Sequence, residues 1–166
     1  PLTLTTDSTL LQPKSGKAHL KIRNACPAAA RVLVNGRGYK SVNASRGYGS
    51  FTFGPAKPGK YVIVVKSCKE DATVTIYVPG ALILPQKHIV PRKLTIYIKY
   101  IPEGSLVTFL LAGKRVTKVK PVAPNATGLA RISIPKNTLK LGTNPVAFVI
   151  GTTIKISAKI RGIPAP

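Results

Sequence analysis

The sequence predicts an all-β protein made of two small antiparallel β-sandwich domains behind an extended N-terminal arm. Three observations lead to this prediction. The apolar residues are mostly Val, Ile, Leu and Ala in short runs, which is the composition of strands. Fifteen Pro and 14 Gly residues punctuate the chain, and strand patterns recur about every ten residues between them. No segment shows a sustained helical period.

The predicted strands fall into two series separated at Pro79-Gly80. The first series covers residues 2–11, 17–23, 31–34, 50–53, 60–66 and 72–78, with a hairpin turn at Asn35-Gly36. The second series covers residues 81–84, 92–100, 105–111, 114–120, 130–134, 146–150 and 152–161. Each half therefore has the number of short strands expected of a small sandwich. The predicted division is an arm at 1–16, a first domain at 17–79 and a second domain at 80–166.

Two segments resemble known families. Residues 49–65, GSFTFGPAKPGKYVIVV, resemble the signature G-x-F-x-F … P-G-x-Y-x-V-x-V of carboxypeptidase-regulatory, transthyretin-like sandwiches, a likeness that covers about 17–79. Residues 94–159, with GLARISIP before TNPVAFVIG, resemble the immunoglobulin-like surface domains of exported prokaryotic proteins, over about 81–161. The resemblances imply sandwich folds of the kind found in exported adhesins, filaments and cell-surface proteins, and they imply no catalytic residue.

Several features favour an extracellular or cell-surface location. Cys26 and Cys68 form an even pair in a β-rich segment, which predicts a disulfide, with two buried free thiols as the alternative. Asn43 and Asn125 each begin a glycosylation sequon and are candidate glycosylation sites. The chain begins at Pro1 without Met, as after removal of a signal peptide or through a cloning choice. No apolar run is long enough to span a membrane.

The charge of the chain predicts a polyanionic partner. Lys and Arg total 26 and Asp and Glu total 4, which gives a net charge of +22 and a pI of about 10.6. A compact chain with that charge repels itself unless counter-charge is bound. The alternative is a general basic bias of the source proteome.

The basic residues alternate with core residues on three predicted strands, at 17–23, 93–99 and 153–161. Successive outward side chains on a strand lie about 6.6–7 Å apart, close to the spacing of phosphates along one DNA strand. The predicted polyanion-binding residues are Lys17, Lys21, Arg23, Lys93, Lys99, Lys114, Arg115, Lys118, Lys120, Lys155, Lys159 and Arg161. The alternative is a set of solvated strand faces on which lysine blocks edge pairing.

Base-specific recognition is not expected, because the sequence has no helix-turn-helix, zinc-finger or RNP-type motif. Four tyrosines are possible stacking partners for bases, but core or hairpin positions explain them better. They are Tyr39, Tyr48, Tyr97 and Tyr100. The predicted mode of binding is therefore contact with the polyanion backbone, independent of base sequence.

Enzymatic function has little support in the sequence. The four acidic residues are Asp7, Glu70, Asp71 and Glu103. Glu70 and Asp71 are adjacent and point to opposite faces of a strand, which disfavours a glycosidase-type carboxylate pair. The two histidines, His19 and His88, fall in different predicted domains. We expect no catalytic residue, no metal site and no cofactor.

These observations predict an exported structural protein that coats or bundles a polyanion, with duplex DNA favoured, as a repeating filament subunit. One alternative is a pilus-like filament without nucleic acid, in which the arm adds as a strand to a neighbouring subunit through Leu2, Leu4, Leu10 and Leu11. Two further alternatives are a viral coat protein and a surface adhesin that binds an acidic glycan.

Overall fold

The computed structural model describes all residues from Pro1 to Pro166 and contains fifteen β-strands and no helix. The predicted all-β class is confirmed. The chain divides into two compact units, Pro1–Val78 and Pro79–Pro166. The predicted boundary lay between residues 79 and 80, which placed Pro79 at the end of the first domain. In the structure Pro79 begins the second unit.

The first unit contains seven strands in two sheets. They are β1 (Thr3–Thr6), β2 (Ala18–Arg23), β3 (Ala28–Val34), β4 (Arg37–Ala44), β5 (Tyr48–Phe53), β6 (Gly59–Ser67) and β7 (Glu70–Val78). Sheet A has the order β1-β2-β5, and sheet B has the order β4-β3-β6-β7. Alternate residues of both sheets, such as Leu20, Phe51 and Ile63, lie in one buried cluster. The period of two in the sequence therefore builds a two-layer core.

The N-terminal segment belongs to the first unit, which corrects the prediction of a separate arm. β1 pairs antiparallel with β2 in sheet A. The chain then reaches sheet B, where the backbone N–H of Tyr77 donates to the carbonyl of Thr9 at 2.8 Å. Leu2, Leu4 and Leu11 are buried and Leu10 is half-buried. Because these leucines find apolar surface in their own domain, the segment completes that domain's core.

The turn predicted at Asn35-Gly36 is confirmed as the β3–β4 hairpin. Both residues have positive φ, 50° for Asn35 and 80° for Gly36, as a tight turn matching the strand twist requires. The Asn35 side chain also joins the hairpin to β6, because its Oδ1 accepts from the N–H of Val62 at 2.8 Å.

The predicted disulfide is confirmed. Cys26 lies between β2 and β3, Cys68 lies in the β6–β7 turn, and their Cα atoms are 6.3 Å apart. The buried hydroxyl of Ser67 accepts from the N–H of Cys26 at 2.9 Å. The bond therefore ties the β2–β3 connection, where the chain first passes from sheet A to sheet B, to the β6–β7 hairpin of sheet B.

The residues of the transthyretin-like signature are packing residues. Phe51 and Phe53 of β5 are buried, and the Tyr61 ring of β6 packs against Phe53 with ring centroids 5.1 Å apart. β5 belongs to sheet A and β6 to sheet B, so the Pro/Gly segment between them crosses from one layer to the other.

The second unit contains eight strands in two sheets. They are β8 (Gly80–Ala81), β9 (Lys87–Ile89), β10 (Leu94–Lys99), β11 (Val107–Leu111), β12 (Lys114–Arg115), β13 (Ala130–Ile134), β14 (Gly142–Ile150) and β15 (Ile154–Ile163). Sheet C has the order β13-β10-β8, and sheet D has the order β12-β11-β14-β15-β9. Ile96 and Ile98 of sheet C and Phe109 and Phe148 of sheet D are almost fully buried.

Two details of the second unit differ from the predictions. The strand expected at 114–120 ends at Arg115, and residues 116–120 form turns and loop. The short strand β9 was not predicted. It pairs parallel with β15, Lys87 opposite Arg161, and is the one parallel strand pair of the two units.

Candidate functional site

The structure distributes the predicted polyanion-binding residues over several separate surfaces. Lys21 and Arg23 lie on the outer face of sheet A, and Lys17 precedes β2. Lys99 lies on the outer face of sheet C, and Lys93 precedes β10. Lys155, Lys159 and Arg161 lie on the outer face of sheet D. Lys114 and Arg115 form β12, and Lys118 and Lys120 lie in the loop after it. The three predicted strands therefore belong to three different sheets.

In the first unit, an open groove with a volume of about 820 Å³ runs along β2, β5 and β4. β5 is the edge strand of sheet A and β4 is the edge strand of sheet B, so the groove follows the open edge of the sandwich. Lys21, Arg23 and Lys40 line it, together with Tyr48, and no carboxylate does. We call this surface the edge groove. Its cations converge from two sheets on one channel.

The edge strands approach each other closely at one point of the edge groove. A Cβ atom added to Gly49 of β5 would lie 2.8 Å from the carbonyl oxygen of Asn43 in β4. Only glycine permits this approach of the two backbones. Elsewhere along these strands the Tyr39 hydroxyl of β4 donates to the carbonyl of Thr52 in β5 at 3.1 Å. These contacts hold the walls of the groove together.

Two tyrosines of this region lie on the surface, Tyr39 in the β3–β4 hairpin as the sequence favoured and Tyr48 on β5, outside the core. Tyr48 is 55% exposed and faces outward opposite Arg23. Tyr39 is 41% exposed, and the Lys40 ammonium lies 5.2 Å from its ring centroid. Tyr97 and Tyr100 of the second unit are half-buried. Only the first unit therefore presents strongly exposed aromatic rings beside its cations.

A smaller recess adjoins the edge groove. Asn43, Ser45, Arg46 and Tyr48 line it, and its volume is about 260 Å³. Asn43 and Tyr48 line both depressions, so Arg46 adds a further cation next to the edge groove.

In the second unit, the outer face of sheet D is broad and basic. Arg161 of β15 lies between Lys87 of β9 and Thr143 of β14, and Lys159 lies beside Pro145. Four residues away along the same two strands, Lys155 lies opposite Val149. No acidic residue occupies β9, β12, β14 or β15. This surface, which we call the sheet D face, is a plane of cations around small apolar side chains.

Sequence reasoning missed Lys40, Arg46 and Lys87. Lys40 follows a register irregularity in the β3–β4 pair, so simple alternation does not predict its exposed side. Arg46 lies in a turn, and Lys87 acquires its neighbour Arg161 only through the parallel pairing of β9. A search for all basic residues close to exposed aromatic residues would have selected Lys40 and Arg46.

The two sequon asparagines are exposed. Asn43 is the penultimate residue of β4, and its Oδ1 accepts from the N–H of Ser45 at 3.0 Å. Asn125 lies in the loop before β13, where its Oδ1 accepts from the N–H of Thr127 at 2.9 Å. Their glycosylation remains a prediction.

Three of the carboxylates and both histidines have structural contacts. Asp7 accepts from the N–H of His19 at 2.8 Å, and Asp71 pairs with Lys66 at 3.3 Å. His88 lies in the other unit, with its Nε2 2.8 Å from the carbonyl of Arg92. No helix of the structure is long and apolar enough to cross a membrane.

Comparison with known proteins gives likeness of fold only. No protein-family model and no curated protein matches the sequence. Among solved structures, the chain is similar to the D0-D1 domain of intimin, with 13% identity, a TM-score of 0.40, and coverage of 98% of this chain and 97% of that one. It is also similar to the fibronectin(III)-like modules of CbhA from Clostridium thermocellum, with 11% identity, a TM-score of 0.36, and coverage of 98% and 95%.

A third similar structure contains the tandem Ig repeats of Dlar, with 12% identity, a TM-score of 0.34, and coverage of 99% of each chain. The transthyretin-like resemblance of the first half and the immunoglobulin-like resemblance of the second half both stay predictions. At this level of similarity no partner or activity is transferred to this chain.

Proposed function

We propose that this chain is an extracellular, non-enzymatic structural protein that binds a polyanion through backbone contacts, with duplex DNA the favoured partner. The observation that carries the proposal is that each domain has a surface on which cations gather without carboxylates. The edge groove has Lys21, Arg23 and Lys40, and the sheet D face has Lys87, Lys159 and Arg161. Two independent surfaces of this kind are more than solubility requires, because mixed charges solubilise as well.

The extracellular part of the proposal is supported by the disulfide between Cys26 and Cys68. Disulfides persist in oxidising environments and are rare in most cytosolic proteins. In the proposed function the polyanion neutralises the chain's charge of +22, so that many copies assemble along it as a coat or bundle.

A salt titration tests the proposed DNA binding. Each phosphate contact releases condensed counterion, so the logarithm of the affinity falls against the logarithm of salt concentration with a slope of about −0.9 per contact. With about six contacts, affinity for a random-sequence duplex drops roughly a thousandfold between 50 and 200 mM salt. Anisotropy of a labelled duplex measures this slope, and equal affinity for a second, unrelated sequence shows that base sequence is not read.

Undetectable binding at 150 mM salt with tens of micromolar protein would contradict the proposal for duplex DNA. Stronger binding to an acidic glycan of matched charge would favour a surface adhesin. Native material is also isolated gently, digested with protease and assayed for nucleic acid. Bound nucleic acid indicates a coat protein, and its absence indicates a chain that is merely basic in composition.

A second candidate function is a filament without nucleic acid, assembled by exchange of the N-terminal strand. Residues 1–11 lie along sheet A and then beside β7 of sheet B, so the same segment from a second copy is able to make the same contacts. Electron microscopy of native assemblies before and after nuclease distinguishes the candidates. Filaments that survive nuclease unchanged favour strand exchange, and filaments that disperse favour the polyanion core.

A further inference from the structure

The edge groove differs from the other basic surfaces because it combines cations with an exposed ring. Lys21 and Arg23 project from β2 and Lys40 comes from β4. The Tyr48 ring, 55% exposed, lies on the neighbouring strand opposite Arg23. Arg46 and Tyr48 line the adjoining recess together. A flexible anionic chain in the groove therefore meets several positive charges close to one aromatic ring.

The Tyr48 ring lies outside the core of its domain and pairs across the strands with Arg23. The buried aromatic rings Phe51 and Phe53 supply the packing of β5, and no hydrogen bond or ring contact of Tyr48 contributes to that core. An exposed aromatic ring beside arginine is the arrangement on which unpaired bases stack in proteins that bind single strands. A duplex keeps its bases stacked inside and offers no free base face to the ring. An acidic glycan offers charge and no planar base, although the C–H face of a sugar ring also packs on tyrosine, and heparin is therefore the competing probe in the test.

We propose that the edge groove binds single-stranded nucleic acid, with a base stacked on Tyr48 and the neighbouring phosphates held by Lys21, Arg23 and Lys40. This inference rests on the proposed polyanion binding and assigns a ligand class to one site of it. Backbone contact and stacking are both indifferent to base identity, so the groove accepts any sequence with a preference set by stacking strength.

The test uses the full chain and three probes of matched charge: a labelled oligothymidylate, a duplex of random sequence and a heparin oligosaccharide. Tyr48→Ala removes the stacking surface, and Tyr48→Phe is the matched control that keeps the ring. We expect Tyr48→Ala to weaken oligothymidylate binding roughly tenfold to a hundredfold and Tyr48→Phe to leave it within about twofold. Affinity for the duplex and for heparin stays unchanged in both variants.

A charge variant examines the phosphate contacts separately. Lys21→Gln/Arg23→Gln/Lys40→Gln makes the slope of log affinity against log salt for the oligonucleotide shallower by about 2. Each of the three lost contacts contributes about 0.7 on a single strand. The control Lys57→Gln/Lys69→Gln changes two exposed lysines outside the groove and leaves that slope within a few tenths. Tyr48→Ala lowers affinity without changing the slope, because no ionic contact is lost. Circular dichroism establishes that each variant is folded.

This inference is overturned if Tyr48→Ala binds oligothymidylate as tightly as the wild-type chain does. It is also overturned if the wild-type chain binds heparin more tightly than oligothymidylate. Both results leave the proposed polyanion function intact if the duplex still binds with a steep salt dependence. Absence of binding to all three probes overturns the proposed function and this inference together, so the two failures are distinguishable.

Discussion

The two domains carry similar excesses of positive charge on differently shaped surfaces. The first domain has twelve of the 26 basic residues with three of the four acidic residues, and the second has fourteen with one. The first sandwich opens at β4 and β5, which are edges of different sheets, and its cations line a groove. Sheet D of the second has five strands, and its cations form a broad face. Strand order therefore decides which shape of ligand a basic composition can contact.

The domains also differ in what holds their loops. The first has the disulfide between Cys26 and Cys68. The second has the buried side chain of Asn144, whose Nδ2 donates to the carbonyls of Lys140 at 2.8 Å and Ile160 at 3.1 Å. Its Oδ1 accepts from the N–H of Lys140 at 2.9 Å. One covalent bond and one hydrogen-bonded amide thus serve comparable purposes in the two domains.

The largest expected effect is loss of the first domain when its N-terminal strand is removed. Deleting residues 1–11 exposes core that Leu2, Leu4 and Leu11 cover, and even one buried Leu→Ala change costs about 2–5 kcal/mol. Hydrogen-exchange mass spectrometry is expected to show loss of protection in peptides of residues 18–78 and retained protection in residues 94–163. Thr3→Ala/Thr5→Ala, at exposed positions of β1, is the control. Retained protection in both domains would mean that the strand is a dispensable arm.

Removal of the disulfide comes next. Cys26→Ser/Cys68→Ser is expected to destabilise the first domain by about 3–4 kcal/mol, because the bond closes a loop of about 40 residues in the unfolded chain. Chemical denaturation monitored by domain-specific peptide protection measures the loss, and the second domain is the internal control. Intact mass with alkylation checks the bond itself. Two alkylatable thiols in non-reduced native protein would contradict its presence.

Substitution of Asn144 is expected to have a smaller effect, confined to the second domain. Asn144→Ala leaves buried backbone groups without partners, which costs about 1–3 kcal/mol. Asn144→Asp costs more, since a carboxylate then faces the carbonyl oxygens of Lys140 and Ile160. Urea denaturation of the three proteins gives the order. Equal stability of Asn144→Asp and the wild type would show that the side chain is not held as described.

The smallest effect on folding is expected from the sheet D face. Lys87→Gln/Lys159→Gln/Arg161→Gln leaves unfolding unchanged, because all three side chains are outside the core. The same change makes the slope of log affinity against log salt for duplex DNA shallower by about 2.7, because three phosphate contacts are lost. Anisotropy titrations at four salt concentrations measure it. An unchanged slope would remove this face from the proposed interface and leave the edge groove as its main site.

Much of the fold follows from local patterns. The alternation in residues 18–23 predicts which side of β2 is buried, the Asn35-Gly36 pair predicts a hairpin, and the two cysteines predict a disulfide. The first two predictions succeeded because strand alternation and tight turns depend on residues near in sequence, and the third because the chain has only two cysteines to pair. The strand predicted at 114–120 failed after Arg115, because alternating Lys and Val in a loop has the same pattern as a strand.

The sequence by itself determined the all-β class, the excess of cations and the strand residues whose side chains point away from the core. Only the tertiary structure decided which cations are neighbours. Lys40 joins Lys21 and Arg23 because two sheet edges meet, Lys87 joins Arg161 through one parallel pairing, and residues 1–11 cover their own core. Each of these depends on pairing between segments distant in the chain, which period and composition do not specify.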